Sequence, residues 1–163
     1  MSQSIGCLGV LLKLLGFSSG EPRLPPPVAK VNRSFVSDAE AEFFHTLKHV
    51  IGAQGHLLAQ VSLRQLFYFP GGRDTPGRSS WFAKMGSRSV DFLIVDPKTL
   101  VPLVGVELDD STHESKRRQQ RDTEVEQVFA AAGLELVRVR LSQSNHVKKL
   151  AELVLPAIAR AKA

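Results

Sequence analysis

Two apolar runs joined by a short polar turn set the strongest limit on what this chain can fold into. Residues 90–95 read VDFLIV, residues 101–108 read VPLVGVEL, and Asp96-Pro97-Lys98-Thr99 lies between them. Runs of this length, rich in β-branched side chains and split by turn formers, predict the two strands of a hairpin. Side chains alternate faces along a strand, so Glu107 and Asp109 are expected to point the same way. Asp91 opens the preceding strand. With the turn at residues 97–100, Asp91 reaches the level of Glu107 and Asp109, and these carboxylates converge at one sheet edge.

Like charges gathered in this way oppose folding unless something neutralises them. Glu107 also ends a hydrophobic strand, where an unpartnered carboxylate is costly to desolvate. A hard divalent cation meets both needs, since magnesium prefers oxygen ligands and retains waters. Such an ion can activate water against a phosphodiester. The plainer reading is that Glu107, Asp109 and Asp110 end a strand and cap the loop after it. Spacing alone does not separate the two.

The rest of the chain reads as a small α/β domain in the order α-β-(β-β)-α-β-α. Ser37 and Glu40 have the spacing of a capping box, and Phe43, Phe44, Leu47, Val50 and Ile51 then recur at helical intervals. Residues 56–63 (HLLAQVSL) predict a strand, and residues 80–86 a short helix carrying Trp81 and Phe82. Residues 115–132 predict a helix with Val125, Val128, Phe129 and Ala132 on its buried stripe and Gly133 at its C-terminus. Residues 134–141 (LELVRVRL) alternate as a strand, and residues 145–161 predict a final helix, bent at Pro156.

Three parts follow from composition along the chain. Residues 1–17 hold a short apolar segment, residues 18–34 a proline-rich linker, and residues 35–163 the folded domain. The apolar stretch at 5–17 (IGCLGVLLKLLGF) is too short to span a bilayer, which takes roughly 20 apolar residues. Weak peripheral contact with a membrane remains open for it. The single cysteine, Cys7, excludes an internal disulfide framework and a cysteine-built zinc site, and suits a cytoplasmic protein.

The net charge of +5 favours anionic partners, nucleic acid first among them. Its distribution sharpens the point. Lys116, Arg117, Arg118 and Arg121 crowd the start of a helix, where cations oppose the helix dipole. A phosphate there would satisfy both the cations and the free backbone N–H groups. Arg73, Arg78, Lys84 and Arg88 add charge ahead of Asp91, with Trp81 and Phe82 among them as base-stacking candidates or a buried aromatic pair.

The order αβββαβ, the aspartate on the second strand and the E-x-D-x3-H segment formed by Glu107, Asp109 and His113 resemble the PD-(D/E)XK nuclease superfamily. A closer resemblance is to the bacterial domain of unknown function 2726. It is carried by SDAEAEF at residues 37–43, Val90-Asp91-Phe92, VELDDSTH at residues 106–113, Arg121-Asp122 and AAGL at residues 131–134. The E-x-D-x3-H theme is also similar to very-short-patch-repair-like endonucleases, in which a histidine assists catalysis.

These resemblances imply a restriction-endonuclease-like αβββαβ core, with a mixed central sheet flanked by helices. They imply metal-dependent hydrolysis of DNA or RNA with Mg2+ or Mn2+ held by Asp91 and Glu107. Asp109 would complete the acidic edge, His113 would handle protons, and Glu40 stands where the family has its first-helix acid; the capping box explains Glu40 equally well. Gln60 matches a recurring polar position on the first strand. Asp109 departs from the superfamily pattern, because it stands where a lysine usually positions the attacking water. Lys84, Arg88 or Lys116 could supply that charge from elsewhere, and His113 could take over the proton transfer. The alternative is a catalytically inactive nuclease-fold module that binds nucleic acid.

Overall fold

The sheet is built around a strand that is apolar on both faces. In the computed structural model, which describes residues 28–71, 75–109 and 116–163 (backbone alone for 116–119), β2 (Ser89–Val95) lies inside the sheet. Its neighbours are β1 (His56–Ser62) and β3 (Pro102–Asp109), and β4 (Glu135–Arg140) follows β3, giving the order β1-β2-β3-β4. β2 runs antiparallel to both β1 and β3, while β4 runs parallel to β3. Residues 28–33 belong to a separate unit, Met1–Arg33, and carry no helix or strand; Ser34–Ala163 is one compact unit.

Alternation along β2 feeds two cores. Phe92 and Ile94 join Val104, Val106, Val137 and Val139 under the helices α1 (Asp38–Ile51) and α5 (Val147–Ala161), which supply Phe43, Leu47, Ile51, Leu150, Val154 and Ile158. Leu93 and Val95 join the other core, with Leu63 of the one-turn helix α2 (Leu63–Leu66) and Met85 of α3 (Arg78–Met85). Val125, Val128 and Phe129 of α4 (Lys116–Ala131) complete it. Burial on both faces is why VDFLIV reads as a continuous apolar run rather than as an alternating one.

The expected elements are present, with ends that differ by a few residues. Ser37 and Glu40 form the capping box: the Glu40 amide donates to Ser37 Oγ at 3.3 Å, and the Ser37 amide donates to Glu40 Oε2 at 2.6 Å. At the hairpin turn, Asp96 Oδ1 accepts the Lys98 and Thr99 amides, each at 2.9 Å, and these bonds, Thr99's first, hold its carboxyl below the ordinary range. α4 makes the crossover that the parallel β3–β4 pair requires. It ends on Gly133, at φ 67°, with the Leu134 amide donating to the Phe129 carbonyl at 3.0 Å. Ala132, expected on the buried stripe of this helix, is exposed in its last turn, as is Ala131 beside it.

Pro156 sits inside α5. It removes the bond that the Glu152 carbonyl would accept, and both residues lie on the exposed side, where water can replace that bond. No helix among the described residues is long and apolar enough to cross a membrane.

Candidate active site

The β2–β3 ladder stops one residue short of the acids. Its last pair is Phe92 with Val106, and the same register places Asp91 opposite Glu107. There the strands are tied by a side chain instead: the Leu108 amide donates to Asp91 Oδ2 at 3.0 Å. β3 meanwhile continues alongside β4, where Glu107 pairs with Arg138 and Asp109 with Arg140.

Asp91, Glu107, Leu108, Asp109, Asp122 and Arg138 line a cavity of about 160 Å³ at this point. The expected meeting of Asp91, Glu107 and Asp109 is therefore observed at the level of a shared pocket. Among the described residues, no three His, Cys, Asp or Glu side chains are drawn together closely enough to hold a metal ion by themselves.

Glu107 is the most perturbed group in the pocket. Its side chain is only 16% exposed, and burial pushes its pKa up to about 7. The Arg138 guanidinium opposes that rise, while the charges of Asp91, Asp122 and Asp109 add to it. Arg138 Nη1 lies 3.1 Å from Glu107 Oε2, and Arg138 Nε donates to Glu126 Oε1 at 3.0 Å. Arg138 Nη2 is shut off from solvent and has no hydrogen-bond partner among the described residues.

Arg138 was not singled out from the sequence, and Asp122 entered only in the Arg121-Asp122 motif, with no role in the site. The alternation in LELVRVRL puts Arg138 and Arg140 on one face, but only the parallel register with β3 brings Arg138 to Glu107. Asp122 arrives from α4, nearly two turns into the crossover helix.

Glu40 lies outside this pocket's lining. Beyond its capping bonds it accepts from Gln60 Nε2 at 2.7 Å, and Ser89 Oγ donates to Gln60 Oε1 at 2.9 Å. Gln60 thus links the first helix to β2, two residues ahead of Asp91. Its backbone is left-handed, at φ 52°, and it drops out of a ladder that pairs Ala59 with Phe92 and Val61 with Val90. A non-glycine residue held in that region is strained, and here the strain sits opposite Asp91.

Of the cations expected to stand in for the superfamily's lysine, Lys84 and Arg88 are engaged elsewhere. Lys84 Nζ lies 2.7 Å from Glu124 Oε1, and Arg88 pairs with the other oxygen of the same carboxylate. These bonds, Lys84's first, hold the Glu124 carboxyl below its usual range. Arg88 also donates to the Arg121 carbonyl at 3.1 Å, and Arg78 Nε donates to the Phe69 carbonyl at 3.0 Å. Arg121 is exposed on α4. Lys84 lies 5.2 Å from the centre of the half-buried Trp81 ring, and the Arg64 guanidinium sits 4.0 Å over the Phe82 ring. His113, Arg73 and the side chains of Lys116, Arg117 and Arg118 fall outside the described residues, as does the apolar segment at 5–17.

The family model described as Protein of unknown function (DUF2726) matches residues 32–158, a span that contains every residue of the acidic pocket. No curated protein and no solved structure matches the chain.

Proposed function

The chain belongs to the DUF2726 family, and from that premise we propose that it is a metal-dependent nuclease hydrolysing phosphodiester bonds in DNA or RNA, on a PD-(D/E)XK-like core. The observation that carries this reading is the acidic pocket where the β2–β3 ladder ends, with Asp91 and Glu107 on opposite strands. A buried carboxylate among three others either keeps its proton or is balanced by a cation beyond the one arginine beside it.

Asp91 and Glu107 would hold that cation. Their donors are all oxygen, which suits Mg2+ or Mn2+, and these ions bind through one or two carboxylates and keep waters for the rest of their shell. When bound, the ion would supply charge neutralisation and a more acidic water. Asp109 extends the negative rim, and a cation bound at Glu107 would displace its proton. His113, six residues beyond Glu107, is the proposed proton carrier. Lys116, Arg117, Arg118 and Arg121 would draw the nucleic-acid backbone to the start of α4. A cytoplasmic setting, with peripheral membrane contact through residues 5–17, completes the reading.

Asp109 in the lysine position and the Arg138–Glu107 ion pair favour a second reading, an inactive module that binds nucleic acid without cutting it. Glu107→Gln separates the two. Purified protein is incubated with single- and double-stranded DNA and RNA, with Mg2+, Mn2+ or EDTA. For a nuclease, cleavage requires the metal and disappears in Glu107→Gln, while binding is kept or strengthened because a charge repelling phosphate is gone. Salt-sensitive binding with no metal-dependent cleavage on any substrate gives the inactive module. Absence of both binding and cleavage discards both readings.

A further inference from the structure

We propose that Arg138 takes over the charge of the missing lysine, donating to a phosphate oxygen of nucleic acid once a divalent cation occupies the acidic pocket. This rests on the nuclease reading. Among the described residues, Arg138 is the cation that lines the pocket. Lys84 and Arg88 are committed to Glu124.

The guanidinium is only partly used. Nη1 faces Glu107 at 3.1 Å and Nε meets Glu126 at 3.0 Å, while Nη2 is closed off from solvent and has no hydrogen-bond partner among the described residues. A buried charged donor without an acceptor is costly, and such an exception in a folded protein asks for an explanation. A ligand oxygen supplies one once the guanidinium has turned from Glu107 and uncovered Nη2. Arginine remains charged at any working pH, and its planar fork matches phosphate oxygens, two properties required of a group that replaces a lysine beside a scissile phosphate.

The surroundings make this contact conditional. Asp91, Glu107, Asp109 and Asp122 line the same pocket, so their negative charge repels a phosphate from it. A divalent cation at Asp91 and Glu107 changes both sides of the balance. It neutralises the carboxylates, and it competes with Arg138 for Glu107, releasing Nη1 to join Nη2. Glu126 then keeps the arginine in place through Nε. The contact with phosphate is therefore expected with metal and not without it.

Binding of a fluorescein-labelled oligonucleotide, as DNA and as RNA, tests this by anisotropy in EDTA and in Ca2+. Mn2+ uptake is measured in parallel by calorimetry without nucleic acid. Wild-type protein should take up Mn2+ and bind the oligonucleotide more tightly in Ca2+ than in EDTA. Arg138→Gln should weaken binding in Ca2+ by roughly tenfold, the scale of one lost charged hydrogen bond, and leave binding in EDTA within about twofold. Its Mn2+ affinity should hold or rise, because a competing charge is gone. Arg138→Lys, which keeps the charge but not the fork, should fall between, and it serves as the folded control if the glutamine variant melts early. If Mn2+ binds and Arg138→Gln and Arg138→Lys keep the full calcium effect, this proposal is overturned and the nuclease reading stands. Equal weakening in EDTA and Ca2+ makes Arg138 structural and overturns it as well. If wild-type protein takes up no Mn2+, the nuclease reading fails and this one fails with it.

Discussion

Glu107 decides the behaviour of this protein at the scale of a single residue. Burial raises its pKa from the ordinary 4.5 to about 7, with Arg138 opposing and Asp91, Asp122 and Asp109 assisting. In the unfolded chain the group ionises near its ordinary value; in the folded protein it holds its proton until about pH 7. A raised carboxyl contributes stability that is fully present below the unfolded pKa and lost as pH rises through the folded one. At about 1.4 kcal/mol per unit, the loss amounts to roughly 3 kcal/mol. Urea unfolding in EDTA should therefore show stability declining from about pH 4.5 to about pH 7 and levelling beyond it. Glu107→Gln should remove most of that slope, and a slope unchanged in the variant would place its origin elsewhere. Much of this residue's setting is legible in the sequence. A charged residue ending VPLVGVE, two before Asp109 and across a short turn from Asp91, follows from strand alternation alone. Arg138 is not legible in the same way. Its approach to Glu107 depends on β4 lying parallel to β3 in one particular register, and no local pattern records a contact made across a crossover helix.

At the scale of elements, the site depends on how closely α4 lies on β3. Gly105 stands on β3 two residues before Glu107, and a Cβ built on it would come within 2.4 Å of the Phe129 ring of α4. Only a hydrogen fits there, so the glycine fixes the approach of the helix that carries Asp122. Gly105→Ala should cost roughly 1–3 kcal/mol, the usual range for overpacking a core, measured as a lower urea midpoint with unchanged m-value. Gly105→Ala with Phe129→Leu should recover part of the loss, since the two sites share one space. A neutral single substitution would mean that α4 can withdraw freely, and the pocket would then be less fixed than its packing implies. The helices were readable from their periodicity and caps, and the hairpin from its turn. The break at Gln60 was not. HLLAQVSL reads as an uninterrupted strand, and nothing in it marks the residue that turns left-handed to reach Glu40 and Ser89.

For the whole molecule, the question is how much of the chain the fold uses. Both cores are made from residues between Phe43 and Ile158, and Ser34–Ala163 is compact without the first 33 residues. Val28 and Val31, the described apolar side chains ahead of the domain, are 96% and 88% exposed, so removing them takes no buried area away. The first helix carries its own N-cap at Ser37, downstream of the cut, so no backbone donor is orphaned by it. Deleting residues 1–33 should thus leave the thermal midpoint within about 2 °C, since a domain of this size shifts by several degrees for each kcal/mol lost. The same deletion should abolish any binding to vesicles containing anionic lipid, if residues 5–17 make that contact, while leaving oligonucleotide binding in place. A midpoint lowered by about 5 °C or more would show that the apolar stretch packs against the domain. It would then be part of the core, and its exclusion from the folded region would be wrong.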